Sequence, residues 1–168
     1  MFNIGDKILY SGMGVCVVED ICEKALIKNN KIKYYMLYPF FQPKNKIYTP
    51  VENNKVFMRK IITKKQAEDL IYKIPKICEN LSDEILSEAD YIKKCKTHNI
   101  DDLIWLTATI YKKKEYVKLQ KKKLGYVDEK YMKKAEELLF GELACALEIE
   151  YSQVQKYIEE KLKKVDSL

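Results

Sequence analysis

Residues 5–21 read GDKILYSGMGVCVVEDI, and this stretch decides the fold of the first third of the chain. Lys7, Ile8, Leu9 and Tyr10 form a short β-prone run, Ser11, Gly12, Met13 and Gly14 interrupt it, and a β-branched run resumes at Val15. The pattern is strand, turn, strand. In the second run Val15, Val17 and Ile21 fall on one face and Cys16, Val18 and Cys22 on the other, so both faces are largely apolar until Glu19 and Asp20. Residues 28–31 (KNNK) make the next turn, and residues 33–40 (KYYMLYPF) form an aromatic-rich strand stopped by Pro39 and Pro43. Residues 46–49 add a short strand ending at Pro50, and Phe57, Met58 and Arg59 a fifth. Strands this short and this tightly joined predict a small curled antiparallel barrel of the SH3 or Tudor type over residues 1–62.

Beyond residue 62 the apolar period changes from two to about 3.6. Thr63, Lys64, Lys65 and Gln66 form a capping box, and Ala67, Leu70, Ile71 and Ile74 follow at helical spacing until Pro75, which predicts a linker helix over 63–75. Residues 76–168 then read as a helical domain. Ser82 is positioned to cap its first helix, with Asp83 and Glu84 in the first turn, Lys93, Lys94 and Lys96 near the end, and Ile85, Ala89 and Ile92 inward. Asn99 and Asp102 open the next, apolar almost all round over 103–111 and Lys-rich through Leu124 to a break at Gly125, so its first half is expected to be buried and its second half exposed. Asp128 opens a further helix with Met132, Ala135, Leu139 and Leu143 inward, and Ser152 with Gln155 caps the last, with Val154, Tyr157, Ile158, Leu162 and Val165 on one face. The expected fold class is α+β: a small N-terminal SH3/Tudor-like β-barrel followed by an all-α helical domain.

Composition narrows the function. The 168 residues include 31 Lys plus Arg, 25 Asp plus Glu and 47% hydrophobic residues, which suffices for a packed core and gives room for one ordinary domain or two small ones. No apolar run approaches the ~20 residues that span a bilayer, and Asp6 and Lys7 interrupt the N-terminus where a signal peptide needs apolar residues, so the expectation is a soluble, cytoplasmic protein. Cys16, Cys22, Cys78, Cys95 and Cys145 contain no C-x-x-C pair, which argues against a metal site and for small buried thiols. His98 is the only histidine, and no base, nucleophile and orienting group can be assembled around it. The expectation is therefore a protein that is not an enzyme and needs no cofactor.

Charge is segregated along the chain. Residues 79–102 hold three Lys against seven acids, residues 111–134 ten Lys against three, and residues 135–168 four Lys against eight. Arg59 is the sole arginine, so bidentate contacts to guanine edges are nearly unavailable and any nucleic-acid binding rests on Lys against phosphate. Lys112, Lys113, Lys121, Lys122, Lys123, Lys130 and Lys133 are the candidates for that contact; a solvated helix face reads equally well. The aromatic strand of Tyr34, Tyr35, Tyr38, Phe40 and Phe41 reads mainly as core, with one or two rings left for a partner. Trp105, the single tryptophan, sits in the apolar part of its helix and reads as packing.

The order of these motifs resembles the CarD family of bacterial transcription regulators. The resemblance is carried by Gly5, Asp6 and Tyr10, by Gly14, Val15, Val17 and Ile21, by Tyr35 and Leu37, and by TPVEN over 49–53 with RKII over 59–62. In the helical half it rests on Asp128, Glu129 and Lys130, on Ala135 and Glu136, and on LFGELA over 139–144. What the resemblance implies is an N-terminal Tudor-like domain that docks on the β subunit of RNA polymerase, as in transcription-repair coupling factors, and a helical domain that reaches promoter DNA beside the melted region. Two basic positions that hold the polymerase in the family fall here on Lys24, which keeps the charge, and Tyr48, which does not; Ile47 adjoins it. The family typically carries a Trp wedge near the start of the helical domain, whereas residues 78–84 (CENLSDE) hold no Trp. The alternative, from another class, is an SH3-like RNA-binding protein associated with the ribosome.

Overall fold

The computed structural model describes residues 1–27, 30–52, 55–81 and 86–166. The chain divides into two compact units, Met1–Ile61 and Ile62–Leu168. The first is an antiparallel sheet of five strands: β1 (Lys7–Tyr10), β2 (Gly14–Ile27), β3 (Asn30–Pro39), β4 (Ile47–Pro50) and β5 (Met58–Lys60), in the spatial order β4-β3-β2-β1-β5. Gly12 and Gly14, at φ +80° and +79°, turn the chain between β1 and β2 through backbone conformations that a side chain would strain, and Tyr10 and Gly14 close the pairing. The β2–β3 register shifts between Val18 and Asp20, which leaves Glu19 as an extra residue. Such a bulge increases the local twist and bends the long strand. Alternation sends Ile8, Cys16, Val18, Tyr35 and Leu37 into one core. Tyr35 is held there by the Phe2 ring, 5.7 Å away, and by the Phe2 N–H, which donates to its hydroxyl at 2.9 Å.

The second unit is helical: α1 (Lys64–Glu79), α2 (Glu88–Lys96), α3 (Ile100–Leu119), α4 (Tyr126–Leu147), a 3-10 turn (Tyr151–Gln153) and α5 (Val154–Asp166). Sheet unit and helical unit together give the α+β class that the residue periods predict. Thr63 caps α1 as read, with Gln66 N–H 3.2 Å from its hydroxyl and its own N–H 2.9 Å from Gln66 Oε1. The helix does not end at Pro75. Proline removes one donor to the preceding turn, but Ile74 and Ile77 on either side pack against the helical core, and Asn80 closes the end by donating to Lys76 O at 2.8 Å. Ala67, Leu70 and Ile71 of α1 are buried in that same core, so the helix read as a linker over 63–75 is part of the helical unit's interior.

Four other boundaries differ from the reading. Ser82, Asp83, Glu84 and Ile85 lie outside the described residues; α2 is capped by Ser87, in a box with Asp90, and buries Tyr91. Asn99 caps α3 as expected, accepting from Asp101 N–H at 3.0 Å, but the helix ends at Leu119 and not at Gly125. Its end is a six-residue closure in which Lys122 N–H reaches Val117 O and Lys121 N–H reaches Lys118 O, both at 2.9 Å, with Lys121 at φ +55°. Gly125, not Asp128, stands at the N-cap of α4, and the α5 region opens with a box of Glu150 and Gln153 in place of Ser152 and Gln155. The C-terminal half of α4 is buried on nearly every side, from Leu139 to Leu147, where Gly141, Ala144, Cys145 and Ala146 are small. Within it Glu142, fully buried, accepts a 3.0 Å hydrogen bond from Ile62 N–H, the first residue of the unit.

Candidate functional site

Strand β4 forms one edge of the sheet, with β3 as its one neighbouring strand among the described residues. Alternation along it turns Ile47 and Thr49 inward and Tyr48 outward: Ile47 packs half-buried against the core, Thr49 is buried, and Tyr48 is 44% exposed. Of the residues expected to meet a polymerase, Tyr48 therefore presents its side chain at the edge, whereas Ile47 supports the strand from beneath. Lys24 lies on β2 with its backbone opposite Ile32; its side chain lies outside the described part. Tyr34 and Tyr35 are buried, and Phe40 and Phe41 are the rings that remain outside, edge to face at 5.1 Å with Lys7 Nζ 4.8 Å from the Phe40 ring. Beside the opposite edge Lys60 pairs with Asp6 at 3.0 Å, and Arg59 donates to Lys60 O at 3.1 Å. The Asn3 N–H and the Lys60 ammonium hold the Asp6 carboxyl below its usual range.

Over this unit, residues 2–62 match the family model of the CarD-like/TRCF RID domain. The sheet unit is a CarD-like RNA polymerase-interacting domain. It supports a transcription-related role in contact with RNA polymerase. The match ends at the first residue of the helical unit, and a search of curated proteins finds no match to the chain.

The helical unit beyond the CarD-like domain divides the seven candidate lysines into two groups. Lys113 Nζ lies 2.7 Å from Asp128 Oδ2, while Asp128 Oδ1 accepts from the Tyr91 hydroxyl; burial, with the carboxylate beside it, pushes the Tyr91 phenol up. Lys130 Nζ lies 3.1 Å from Glu88 Oε1, which also accepts from the Tyr131 hydroxyl at 3.0 Å. These two hydrogen bonds hold the Glu88 carboxyl below its usual range. Lys133 makes a longer, exposed contact of 4.0 Å with Glu137. Those three ammonium groups are partly compensated inside the unit. Lys112 is exposed on α3. Lys121, Lys122 and Lys123 stand past the end of α3 rather than on its face, exposed, and none makes an ion pair among the described residues.

Trp105 is partly buried, as its helix position suggests, with Lys94 Nζ 4.8 Å over the ring and 2.6 Å from Asp102. Burial acts to raise the Asp102 carboxyl, but hydrogen bonds from Lys94 and Thr97 outweigh it and leave the group below its usual range. Burial also pushes the Cys16 thiol up to about 11, which makes it inert as a nucleophile. Among the described residues no three His, Cys, Asp or Glu cluster as metal ligands, and no helix is long and apolar enough to cross a membrane. Sequence reasoning missed the Tyr91–Asp128–Lys113 network, because its members are far apart in the chain. It also missed Lys118, an exposed lysine on the last turn of α3 between Lys113 and Lys121.

Proposed function

We propose that this protein is a non-enzymatic, cytoplasmic bacterial transcription regulator whose CarD-like domain binds the β subunit of RNA polymerase and whose helical unit contacts promoter DNA through lysines. The observation that carries the reading is the edge strand β4, with Tyr48 turned outward, in a domain of this family. A sheet edge binds a partner strand through main-chain hydrogen bonds and takes its specificity from alternate side chains. Tyr48 and Lys24 supply that specificity, and Ile47 sets the pitch of the strand. For DNA the support is the Lys surplus, with Lys121, Lys122 and Lys123 making no ion pair among the described residues. Contacts of this kind are made to phosphate and carry no base preference.

The test is capture of polymerase subunits from a bacterial lysate by the full chain, followed by Tyr48→Glu and Lys24→Glu. Both substitutions place an acid at the contact, and each should reduce capture of the β subunit while leaving the thermal unfolding midpoint unchanged. Undiminished capture by both variants would remove β4 from the interface. A second reading, an RNA-binding protein of the ribosome, is favoured by the same Lys surplus. Co-purification with ribosomal proteins in place of polymerase subunits would select it.

A further inference from the structure

The residues from Tyr111 to Tyr126 contain seven of the chain's 31 basic residues and one of its 25 acids, a surplus equal to the whole net charge of +6. Four large apolar or aromatic side chains stand in the same stretch in solvent: Tyr111 is 53% exposed, Tyr116 61%, Leu119 84% and Tyr126 79%. Helix geometry explains why. The buried stripe of α3 runs through Leu103, Leu106 and Ile110 and continues only as the half-buried Lys113 and Val117, so the last two turns are covered on one narrow side. At about 100° per residue, Leu119 lies ~80° and Tyr116 ~140° round the helix from Tyr111, so the three spread across the solvent-facing arc rather than forming one row, with Tyr111 at the rim of the groove toward α4 and α5, Lys118 beside it, and Tyr111 and Tyr116 ~7.5 Å apart along the axis. Lys121, Lys122 and Lys123 follow in the turn, and Tyr126 stands at the start of α4.

Lysines alone would match any polyanion, and duplex DNA would meet them with phosphates alone, leaving the rings unused. A single strand offers both phosphates and unpaired π faces, and sequence-tolerant binders of single strands combine a basic track with aromatic platforms. We infer that the end of α3, the following turn and the start of α4 form a binding surface for single-stranded nucleic acid, with bases stacked on Tyr111, Tyr116 and Tyr126 and the backbone held by Lys118, Lys121, Lys122 and Lys123. This deepens the proposed DNA contact and rests on it: the strand engaged is unpaired. The conformation of Lys121 fits the same use. A left-handed position at a helix end is usually glycine, and here it carries a lysine instead.

The experiment is fluorescence anisotropy on the full chain, with a short mixed-sequence DNA strand and the same sequence as a blunt duplex, at several salt concentrations. The strand should bind about tenfold tighter than the duplex. Replacing Tyr111, Tyr116 and Tyr126 together by Ala should erase that preference and leave duplex affinity unchanged, while the matching Phe variant, which keeps the rings, should retain it. Changing Lys121, Lys122 and Lys123 to Gln should weaken both forms and flatten the salt dependence. Circular dichroism and a melting curve on each variant establish that it is folded. Equal affinity for strand and duplex, or an Ala variant that keeps the preference, overturns the stacking surface and leaves the phosphate contact standing. Loss of binding to both forms by the unmodified chain, with polymerase capture intact, overturns the whole nucleic-acid reading and spares the CarD-like one. Ring-dependent binding to vesicles containing phosphatidylglycerol, with no preference for the strand, overturns it in favour of a membrane surface.

Discussion

Asp128 and Glu142 are the buried acids of the helical unit among the described residues. Asp128, 6% exposed, accepts from Tyr91 and pairs with Lys113, so Asp128→Ala leaves a buried phenol without its acceptor and should cost about 2 kcal/mol in urea unfolding. Asp128→Asn, which keeps an acceptor, should cost less. Glu142→Ala strips the acceptor from Ile62 N–H and should lower stability by ~1–3 kcal/mol, with Glu142→Gln recovering part of the loss. Neither role was legible in the sequence, where Asp128 reads as a helix opener and Glu142 as part of a family-like segment, because the partners come from other elements. The titration of the surface acids has a definite sign. Glu88, Asp90 and Asp102 all have carboxyls held below their usual range in the folded chain. Their contribution is complete above the ordinary carboxylate range and is lost as pH falls through their depressed values, so the melting midpoint should drop on acidification below about pH 4. Burial raises Glu136, which works in the opposite sense and disfavours the folded state at neutral pH. Glu136→Gln should therefore raise the midpoint at pH 7, and an unchanged or lower midpoint would contradict that assignment.

At the scale of elements, the caps were more legible than the helix ends. The box at Thr63 stands where its spacing puts it, because the reciprocal bonds of such a box are local. At α2 the acids after Ser82 suggest a cap there, but Ser87 with Asp90 three residues later satisfies two backbone donors at once, and the described helix begins there. Pro75 reads as a stop, yet α1 runs past it because packing on both sides outweighs one missing donor. Pro75→Ala restores that donor and should stabilise the chain by ~1–3 kcal/mol, measured by denaturant unfolding. The end of α3 was hidden for the opposite reason: Lys, Gln and Leu are good helix formers, so nothing short of Gly125 looked like a break. The closure is made by Lys121 in the left-handed region, and Lys121→Gly should raise stability by ~1 kcal/mol while removing a charge from the basic turn.

Across the whole molecule the division into a sheet half and a helical half was legible because the apolar period changes at residue 62, and the same half carries the CarD-like match. The candidate site was legible as residue types but not as orientation: alternation on β4 turned Ile47 inward, and ion pairs absorbed Lys113 and Lys130. On the function proposed above, the absence of a Trp from residues 78–84 removes an inserted ring that would offset the unstacking of a base step. Open-complex lifetimes should therefore lengthen only modestly when this protein is added, and a long lifetime unaffected by changes over residues 80–84 would contradict that expectation.

The bond between Ile62 and Glu142 spans 80 residues of sequence. A ribosome adding ~5–20 residues per second needs roughly 4–16 seconds to produce that acceptor after its donor. Every strand of the sheet has been made by then, since β5 ends at Lys60. The CarD-like domain thus emerges with a head start over the helices, and a nascent chain stalled between them exposes a fold able to meet polymerase before the helical unit has closed its first residue.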